Sequence, residues 1–383
     1  MRILADENIP YVREAFSSLG DITTAPGREI GAELVRDAQL VLVRSITKVN
    51  AALLDDSFVR FVATATIGED HIDKDYLAAQ GIAFASAPGS NANSVGQYVT
   101  AALLELADRL ELHLADMTLG IVGVGNVGSR VLAKATALGM TCVLNDPPLE
   151  RQTGDHRYRP IDEILACDIV TCHVPLTHSG PDPTYHLVDD TLVRRMKPGA
   201  ILINTSRGAV ADGAAVRSAL DDGHLRACVL DVWEGEPDVD VGLLERVFIG
   251  TPHIAGYSFD GKVNGTRMIY EAACRFLNVK PAWDPAPLLP PPEHPCLDVD
   301  GTAPKAVRAA VRAVYDIMQD DAAMRRLSSV APLERPNRFD RLRKEYPRRR
   351  EFFNTHVAVT PDNADVQRQL EGLGFRLERP PTQ

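Results

Sequence analysis

The sequence predicts an α/β fold in which parallel sheets are covered by helices on both faces. Short apolar runs alternate with helix-like segments from Met1 onward, and the alternation resumes after a long helix-like segment at residues 93–112. Such alternation is typical of parallel sheets, because each crossover between parallel strands needs a connecting helix. A proline-dense stretch at residues 281–295 then indicates the start of a separate C-terminal part.

The most informative stretch is residues 119–146, where a short apolar run leads into Gly123, Gly125 and Gly128. In a turn of this spacing the glycines permit a tight turn, the approach of a pyrophosphate, and close packing of helix on strand. The N-terminus of the following helix offers N–H groups to phosphates. Asp146 ends the second strand, where a carboxylate accepts ribose hydroxyls and repels a 2′-phosphate. The stretch therefore predicts a Rossmann-type domain that binds NAD rather than NADP.

Length and composition limit the remaining possibilities. A chain of 383 residues predicts two or three domains, and a net charge of −11 argues against nucleic acid or an anionic membrane as the main partner. The six cysteines show no metal-binding spacing, so we expect no metal site. The N-terminal residues do not resemble a signal peptide and no apolar run reaches membrane-spanning length, so we expect a cytoplasmic protein.

Three further loops follow later strands of the same domain, where loops face the cofactor. They are residues 203–208 (INTSRG), 230–237 (LDVWEGEP) and 250–256 (GTPHIAG). Arg207 offers a planar fork for a carboxylate. His253 offers an imidazole that can take a hydroxyl proton, and Glu236 a carboxylate that can orient that imidazole. Each signal is weak alone, but their joint placement predicts hydride transfer from a small hydroxy acid.

These loops resemble the D-isomer-specific 2-hydroxyacid dehydrogenases, in which N-x-x-R-G, D-V-x-x-x-E-P and P-H-I-A/G carry the arginine, glutamate and histidine. The resemblance covers residues 1 to about 280 and implies a flavodoxin-like substrate domain that is discontinuous in sequence. It also implies that Asp231 lies near the nicotinamide carboxamide. The other residues expected to contact NAD are Asn126, Val127, Val174, Thr205, Ser206, Arg207 and Gly256.

Several other runs, among them ILADENIP, VRSITKVN, TATIGEDHID and HIAGYS, narrow the resemblance within that family. The member they resemble oxidises 4-phospho-D-erythronate with NAD to (R)-3-hydroxy-2-oxo-4-phosphooxybutanoate, on a route to pyridoxal 5′-phosphate. It implies that Ser45, Thr66 and Tyr257 contact substrate and that an additional C-terminal domain forms a homodimer. Arg44, Ser45 and Lys48 place cationic and hydroxyl donors on one loop, which suits a phosphate. Asn50 is expected to cap the helix that follows, so some of the polar side chains of this loop serve the fold and not the substrate.

We expect three domains. They are a substrate-binding domain (residues 1–94 and 257–280), an NAD-binding Rossmann domain (95–256) and a small α+β dimerisation domain (281–383). In the last of these, the pattern predicts a helix at 305–319, a strand at 357–359 and a helix at 365–373.

Two other functions fit the same residues. One is another phosphorylated D-2-hydroxyacid dehydrogenase, such as 3-phosphoglycerate dehydrogenase, although it leaves the C-terminal part unexplained. The other is a non-enzymatic, NAD-sensing corepressor-like protein, since such a protein can keep all three catalytic residues. A turnover assay separates an enzyme from a sensor.

Overall fold

The computed structural model describes residues 1–303 and 305–378, which form two compact units. The first unit consists of Met1–Asn91 and Ser258–Pro291, and the second consists of Ala92–Tyr257 and the chain from Pro292 onward. The first unit is therefore discontinuous in sequence. Most of the expected third domain clusters with the second unit, so the division into three domains stays a prediction.

Helices and strands are numbered along the chain. The first segment forms β1 (Arg2–Asp6), α1 (Val12–Phe16), β2 (Asp21–Ala25), α2 (Ala32–Val35), β3 (Leu40–Val43), α3 (Ala51–Leu54), β4 (Phe61–Thr64), α4 (Lys74–Ala79) and β5 (Ala83–Ala85). The second forms α5 (Ala92–Arg109), β6 (Thr118–Val122), α6 (Asn126–Ala137), β7 (Thr141–Asn145), α7 (Pro147–Thr153), α8 (Ile161–Leu165), β8 (Ile169–Cys172), α9 (Asp190–Arg195), β9 (Ala200–Asn204), α10 (Gly213–Asp221), β10 (Leu225–Leu230), α11 (Val241–Leu244) and β11 (Ile249–Gly250). The remainder forms α12 (Phe259–Leu277), β12 (Cys296–Asp300), α13 (Ala306–Val314), α14 (Ile317–Arg325), α15 (Arg335–Lys344), β13 (His356–Thr360), α16 (Ala364–Leu373) and β14 (Arg376–Leu377).

The first unit is built on a parallel sheet in the order β2-β1-β3-β4-β5. Strand β3 is buried along its whole length, because helices cover both of its faces. Leu40 and Leu42 pack in one core with α1 and α12, whereas Val41 and Val43 pack in a second core with α2, α3 and α4. This strand order is that of flavodoxin-like sheets, which confirms the predicted fold class.

The second unit contains a parallel sheet in the order β11-β10-β9-β8-β6-β7. A parallel bridge between Leu144 and Tyr158 extends this sheet beyond β7. The strand order reverses between β6 and β8, because β7 lies on one side of β6 and the strands from β8 onward lie on the other. Ligands of open α/β sheets bind at the carboxyl ends of the strands at such a point. The predicted Rossmann-type domain is therefore confirmed, and it places the glycine turn after β6 at the reversal.

The C-terminal segment, from Pro292 onward, adds a small parallel sheet in the order β12-β13-β14. The strand predicted at 357–359 and the helix predicted at 365–373 are confirmed as parts of β13 and α16. The single helix predicted at 305–319 is wrong. The chain leaves the helical conformation at Tyr315, and the side chain of Asp316 accepts a hydrogen bond from the N–H of Met318 (3.2 Å), which starts α14 as a new helix.

This segment shares one apolar core with helices α5 and α6. Its contributors from the C-terminal side include Val307, Phe352, Val357, Leu370 and Leu373, all buried. Polar contacts accompany the apolar ones. Arg308 donates to both carboxylate oxygens of Glu105 on α5 (3.1 and 3.0 Å). Nζ of Lys134 on α6 donates to the carbonyl of Leu373 (2.8 Å). The segment is therefore packed as an integral part of the second unit.

A buried acid lies within this segment. The hydroxyls of Tyr315 and Tyr346 each donate to Oδ2 of Asp320 (3.0 Å), and the guanidinium of Arg349 stacks 4.0 Å from the centre of the Tyr315 ring. Burial raises the pKa of Asp320 to about 6, although the tyrosine hydrogen bonds and the charge of Arg349 oppose the rise. Folding must therefore desolvate this carboxylate whenever it is ionised.

We expect Asp320→Asn to remove a pH-dependent loss of stability. The pKa of Asp320 rises from 3.8 to about 6 on folding, so the folded protein binds more protons in that interval and its stability falls as pH rises through it. A shift of this size corresponds to roughly 3 kcal/mol. Urea unfolding across the interval should show the wild-type free energy of unfolding declining relative to the variant. Asp298→Asn, at an exposed position in β12, should follow the wild type. Parallel curves for wild type and Asp320→Asn would contradict the assignment.

Candidate active site

A glycine-rich turn joins β6 to α6 at the carboxyl end of the sheet. Gly123 has a left-handed backbone (φ 85°), and a Cβ at Gly128 would lie 2.0 Å from the carbonyl oxygen of Gly123. Neither position accepts another residue unless the turn moves. Gly125 differs, because no heavy atom lies within 4 Å of its added Cβ. Asn126 and Val127 form the first turn of α6. The open space at Gly125 and the helix N-terminus fit a bound pyrophosphate.

Asp146 lies between β7 and α7 and is bonded to the glycine turn. Its Oδ2 accepts a hydrogen bond from the N–H of Val124 (2.8 Å), and its Oδ1 caps α7 by accepting from the N–H of Leu149 (3.0 Å). Each oxygen keeps a lone pair for a ribose hydroxyl. Arg151, which lies in α7 five positions after Asp146, is ion-paired with Asp182.

On the other side of the reversal point, β8 leads into His173 and Val174, and β9 leads into Thr205 and Ser206. The imidazole of His173 is hydrogen-bonded to the hydroxyls of Thr171 (3.0 Å) and Thr205 (3.1 Å). Burial lowers the pKa of His173 to about 3, which favours the neutral ring, and its two hydrogen bonds link the loop after β8 to the loop after β9. His173 is not among the residues expected from the sequence, and this role follows only from the structure.

The loop that carries Arg207 is shaped by the two motif residues that flank the arginine. Oδ1 of Asn204 accepts hydrogen bonds from the N–H (3.0 Å) and hydroxyl (2.7 Å) of Ser206, while its Nδ2 donates to the carbonyl of Arg207 (3.0 Å). A Cβ at Gly208 would lie 2.0 Å from the carbonyl of Trp233. The Arg207 loop therefore abuts the loop that leads to Glu236, and only glycine permits that approach.

His253 and Glu236 form a hydrogen-bonded pair, with Nδ1 of the imidazole 2.5 Å from Oε1. The backbone of His253 is left-handed (φ 58°), a conformation that is strained for a residue with a side chain. Its N–H donates to the carbonyl of Asp231 (2.6 Å), which helps to hold it there. Gly256 ends the same loop. Because Nδ1 faces the carboxylate, Nε2 is the ring atom left to accept a proton.

Glu236 is held as an anion. Burial raises the pKa of Glu236, but the charge of His253, the hydrogen bond with it and the charge of Arg343 together bring the pKa below its ordinary value. The N–H of Trp233 also donates to Oε2 of Glu236 (3.3 Å). An ionised carboxylate at this position stabilises the imidazolium that forms when His253 accepts a proton.

Asp231 is a buried carboxylate that shapes the loop after β11. Its Oδ1 accepts hydrogen bonds from the hydroxyl of Thr251 (2.6 Å) and the N–H of Ile254 (2.8 Å), and its Oδ2 accepts from the N–H of Ala255 (2.9 Å). Tyr98 on α5 is hydrogen-bonded through its hydroxyl to Thr251 (2.7 Å). Burial raises the pKa of Asp231. Since both oxygens bind the protein, the contact with nicotinamide expected of Asp231 stays a prediction.

The residues expected to bind substrate belong to both units. In the first unit, Arg44 and Ser45 follow β3 and Thr66 follows β4, so they lie at the carboxyl ends of two paired parallel strands. The hydroxyl of Thr66 is hydrogen-bonded to that of Thr64 (2.7 Å). Tyr257 belongs to the second unit, immediately after the loop that carries His253. Their roles in binding substrate stay a prediction.

Residues 1–303 and 305–378 contain neither a candidate metal cluster nor a candidate membrane-spanning helix. No group of three or more His, Cys, Asp or Glu residues there could hold a metal ion. Within the same residues, no helix combines the length and apolar character needed to cross a membrane.

Comparison with known sequences identifies a family over the nucleotide-binding part. Residues 92–255 match the NAD binding domain of D-isomer specific 2-hydroxyacid dehydrogenases, and residues 288–374 match a domain of unknown function. Erythronate-4-phosphate dehydrogenases are similar over the full chain. The protein from Salmonella arizonae is 45% identical over 100% of both chains. That from Cronobacter sakazakii is 46% identical over 100% of both. The Salinibacter ruber protein is 47% identical over 99% of both.

Solved structures resemble this chain over 73% of its length. The TT0316 protein from Thermus thermophilus has a TM-score of 0.63 and 26% identity, covering 73% of this chain and 98% of that one. D-lactate dehydrogenase from Aquifex aeolicus, complexed with NAD and lactic acid, has a TM-score of 0.58 and 24% identity, covering 73% and 96%. At 24% identity, the likeness to D-lactate dehydrogenase shows the fold alone.

Proposed function

This chain belongs to the D-isomer-specific 2-hydroxyacid dehydrogenase family, and we propose that within it the chain oxidises 4-phospho-D-erythronate to (R)-3-hydroxy-2-oxo-4-phosphooxybutanoate in pyridoxal 5′-phosphate biosynthesis. It is an NAD-dependent oxidoreductase, as the sequence predicts. One observation carries the choice of substrate. Similarity to erythronate-4-phosphate dehydrogenases extends at 45% to 47% identity over essentially the whole chain, including the segment that matches a domain of unknown function.

The residues of the second unit suit this oxidation. Held by the glycine turn and Asp146, NAD would supply the acceptor for the hydride that leaves C2 of the substrate. Arg207 binds the substrate carboxylate through two parallel N–H groups. Nε2 of His253 takes the proton of the C2 hydroxyl, and Glu236, 2.5 Å from Nδ1, stabilises the resulting positive charge. The glycine turn and Asp146 hold the dinucleotide.

We assign recognition of the phosphate to the loop after β3. Arg44 and Ser45 supply a guanidinium and a hydroxyl at the carboxyl end of that strand, and charge-assisted hydrogen bonds of this kind are the strong ones for phosphate. Asn50 accounts for part of the loop's polarity in another way, because its side chain accepts from the N–H of Leu53 (3.3 Å) and caps α3. The assignment therefore rests on Arg44 and Ser45.

A turnover assay tests the proposal against its alternatives. NADH formation is followed with 4-phospho-D-erythronate, 3-phospho-D-glycerate, D-glycerate and D-lactate as substrates. We expect 4-phospho-D-erythronate to give the highest kcat/KM, with the unphosphorylated acids far behind. A preference for 3-phospho-D-glycerate would support the phosphoglycerate alternative. Binding of NAD without turnover of any acid would support the sensor alternative.

Asp146 should set the preference for NAD over NADP. Asp146→Asn keeps a side chain that caps α7 but removes the charge that repels a 2′-phosphate, so the ratio of kcat/KM for NAD to that for NADP should fall about tenfold or more. Asp189→Asn is the matched control. Asp189 also caps a helix, by accepting from the N–H of Leu192 (2.8 Å), and its replacement should leave the ratio unchanged. An unchanged ratio in Asp146→Asn would remove the assignment.

The proposed enzyme is a cytoplasmic homodimer that assembles through its C-terminal segment. Two exposed apolar side chains of that segment, Leu333 (94% exposed) and Phe353 (39% exposed), support an interface there. Sedimentation velocity of the full chain measures the assembly state. A species of twice the chain mass that becomes monomeric in Leu333→Asp or Phe353→Asp supports the proposal, and a wild-type monomer at micromolar concentration contradicts it.

A further inference from the structure

One charged residue of the C-terminal segment lies beside the catalytic loops. Arg343, on α15, is largely buried, with 21% of its side chain exposed. Its guanidinium carbon lies 5.8 Å from the centre of the Tyr257 ring and 5.9 Å from that of Phe339. Contact between a guanidinium and an aromatic face is favourable, and more so away from water. The pairing brings a residue far along the chain against Tyr257, which the family resemblance places at the substrate.

Tyr257 is itself fixed to the loop that carries His253. Its N–H donates to the carbonyl of Ile254 (2.8 Å), and the N–H of Ile254 is bonded to the buried Asp231. The Tyr257 ring also packs edge-on against Tyr346, with ring centres 5.8 Å apart. The tyrosine is therefore held between the catalytic loop on one side and the C-terminal segment on the other.

Electrostatics connects Arg343 to the catalytic pair. Burial lowers the pKa of Arg343, but interactions with Tyr257, which include a hydrogen bond, and the charge of Glu236 raise it above its ordinary value. In turn, Arg343 is one of the groups that lower the pKa of Glu236, after His253. The other charges that face these groups are Asp340, 3.9 Å from Arg343, and Asp231, which acts on His253.

The burial of Arg343 lowers the stability of the folded protein relative to an apolar side chain at the same position. Nε of Arg343 is buried and has no hydrogen-bond partner among the described residues, and leaving a buried donor unpaired costs about 1–3 kcal/mol. A methionine of similar length would fill the space between Tyr257 and Phe339 without that cost. A cation kept at such a cost, whose charge acts on a catalytic carboxylate, indicates a role in the reaction.

We propose that Arg343 is a positioning residue for the oxidation, one that fixes Tyr257 and supplies a permanent positive charge that acts on the Glu236–His253 pair. That charge favours an ionised Glu236 and disfavours a second proton on the pair before the reaction, so His253 is ready to accept the proton of the substrate. The inference rests on the proposed function, because it assigns Arg343 a part in the same reaction.

Variants of Arg343 test the proposal through the pH dependence of kcat/KM. Arg343→Met removes the charge but keeps the bulk, whereas Arg343→Lys keeps the charge and loses the planar fork. Protonation of the pair sets the acidic limb of the profile. In Arg343→Met this limb should move to higher pH by about one unit, since a nearby positive charge no longer opposes protonation. In Arg343→Lys the limb should stay close to the wild type while KM rises.

Two controls separate this effect from a structural one. Arg341→Met changes an exposed arginine of the same helix (62% exposed), paired with Glu345, and should leave the whole profile unchanged. Tyr257→Phe combined with Arg343→Lys should raise KM by less than the product of the single effects, because the two side chains act together. NADH binding, followed by fluorescence, verifies that each variant is folded.

The outcomes are distinct. A profile lowered equally at every pH in Arg343→Met, or a limb that moves equally in Arg343→Lys, would overturn the proposal. If Arg343→Met fails to bind NADH, Arg343→Gln replaces it, with the same expected shift. A wild-type protein that turns over no hydroxy acid would refute the proposed function instead, whereas an active wild type with an unshifted limb would refute only the role of Arg343.

Discussion

Replacement of His253 by alanine is expected to lower kcat by about 10²- to 10⁴-fold, which is the usual contribution of a general base. The physical reason is the pairing with Glu236. With Nδ1 bonded to the carboxylate at 2.5 Å, the imidazole is oriented and its positive form is stabilised, so its loss removes the proton acceptor that this geometry prepares. Steady-state NADH formation measures the effect. The dissociation constant for NAD should change little, because the glycine turn and Asp146 remain.

His156→Ala, at an exposed position, serves as the matched control and should keep wild-type turnover. Added imidazole should restore part of the activity of His253→Ala, because a free base can enter the space that the side chain leaves. Wild-type turnover in His253→Ala would remove the histidine from the mechanism. A large loss of NAD affinity would show instead that the substitution had disrupted the loop after β11.

Arg207→Lys should lower kcat/KM for the hydroxy acid by about 10²-fold or more, comparable with the loss of one donor to a developing charge. An ammonium group carries the charge but cannot form two parallel hydrogen bonds with a carboxylate. The backbone of this loop is held by Asn204 and by the close approach of Gly208 to Trp233, so the variant should keep its fold. The substitution should therefore alter the kinetic constants for the hydroxy acid and leave the affinity for NAD unchanged.

The control for this variant is Arg217→Lys, which alters a partly exposed arginine of α10 that is ion-paired with Asp240 at 3.0 Å. Its kinetic constants should equal those of the wild type. For Arg207→Lys, KM, kcat and the affinity for NAD are measured together. An unaltered KM and kcat would show that Arg207 does not bind the substrate carboxylate.

Much of the nucleotide-binding part could be predicted because its signals are local. The spacing of Gly123, Gly125 and Gly128 between an apolar strand and an apolar-periodic helix leaves few other folds. Glu236 and His253 are 17 positions apart in the sequence, yet both follow strands that pair side by side, β10 and β11, and the structure joins them by a hydrogen bond. Parallel strands bring their following loops to one edge, and this rule makes such pairs visible in sequence.

Other features could not be predicted, because they depend on contacts between distant residues. Nothing near His173 in the sequence indicates that its ring braces the loops after β8 and β9, and Tyr98 reaches Thr251 across 153 positions. The prediction of a single helix over 305–319 was wrong for a different reason. Its apolar periodicity runs through Asp316, but the capping hydrogen bond of that residue outweighs the pattern.

The packing of Phe352, Leu370 and Leu373 against α5 and α6 restricts how this enzyme can be recombined with its relatives. Solved structures of the same fold align with 73% of this chain, and the surface of α5 and α6 that this packing covers belongs to the nucleotide-binding part. In this chain that surface is apolar. A chimaera that grafts the C-terminal quarter onto a shorter dehydrogenase would need the outer faces of both helices grafted with it, and a shorter dehydrogenase made from this chain would need those faces redesigned as polar.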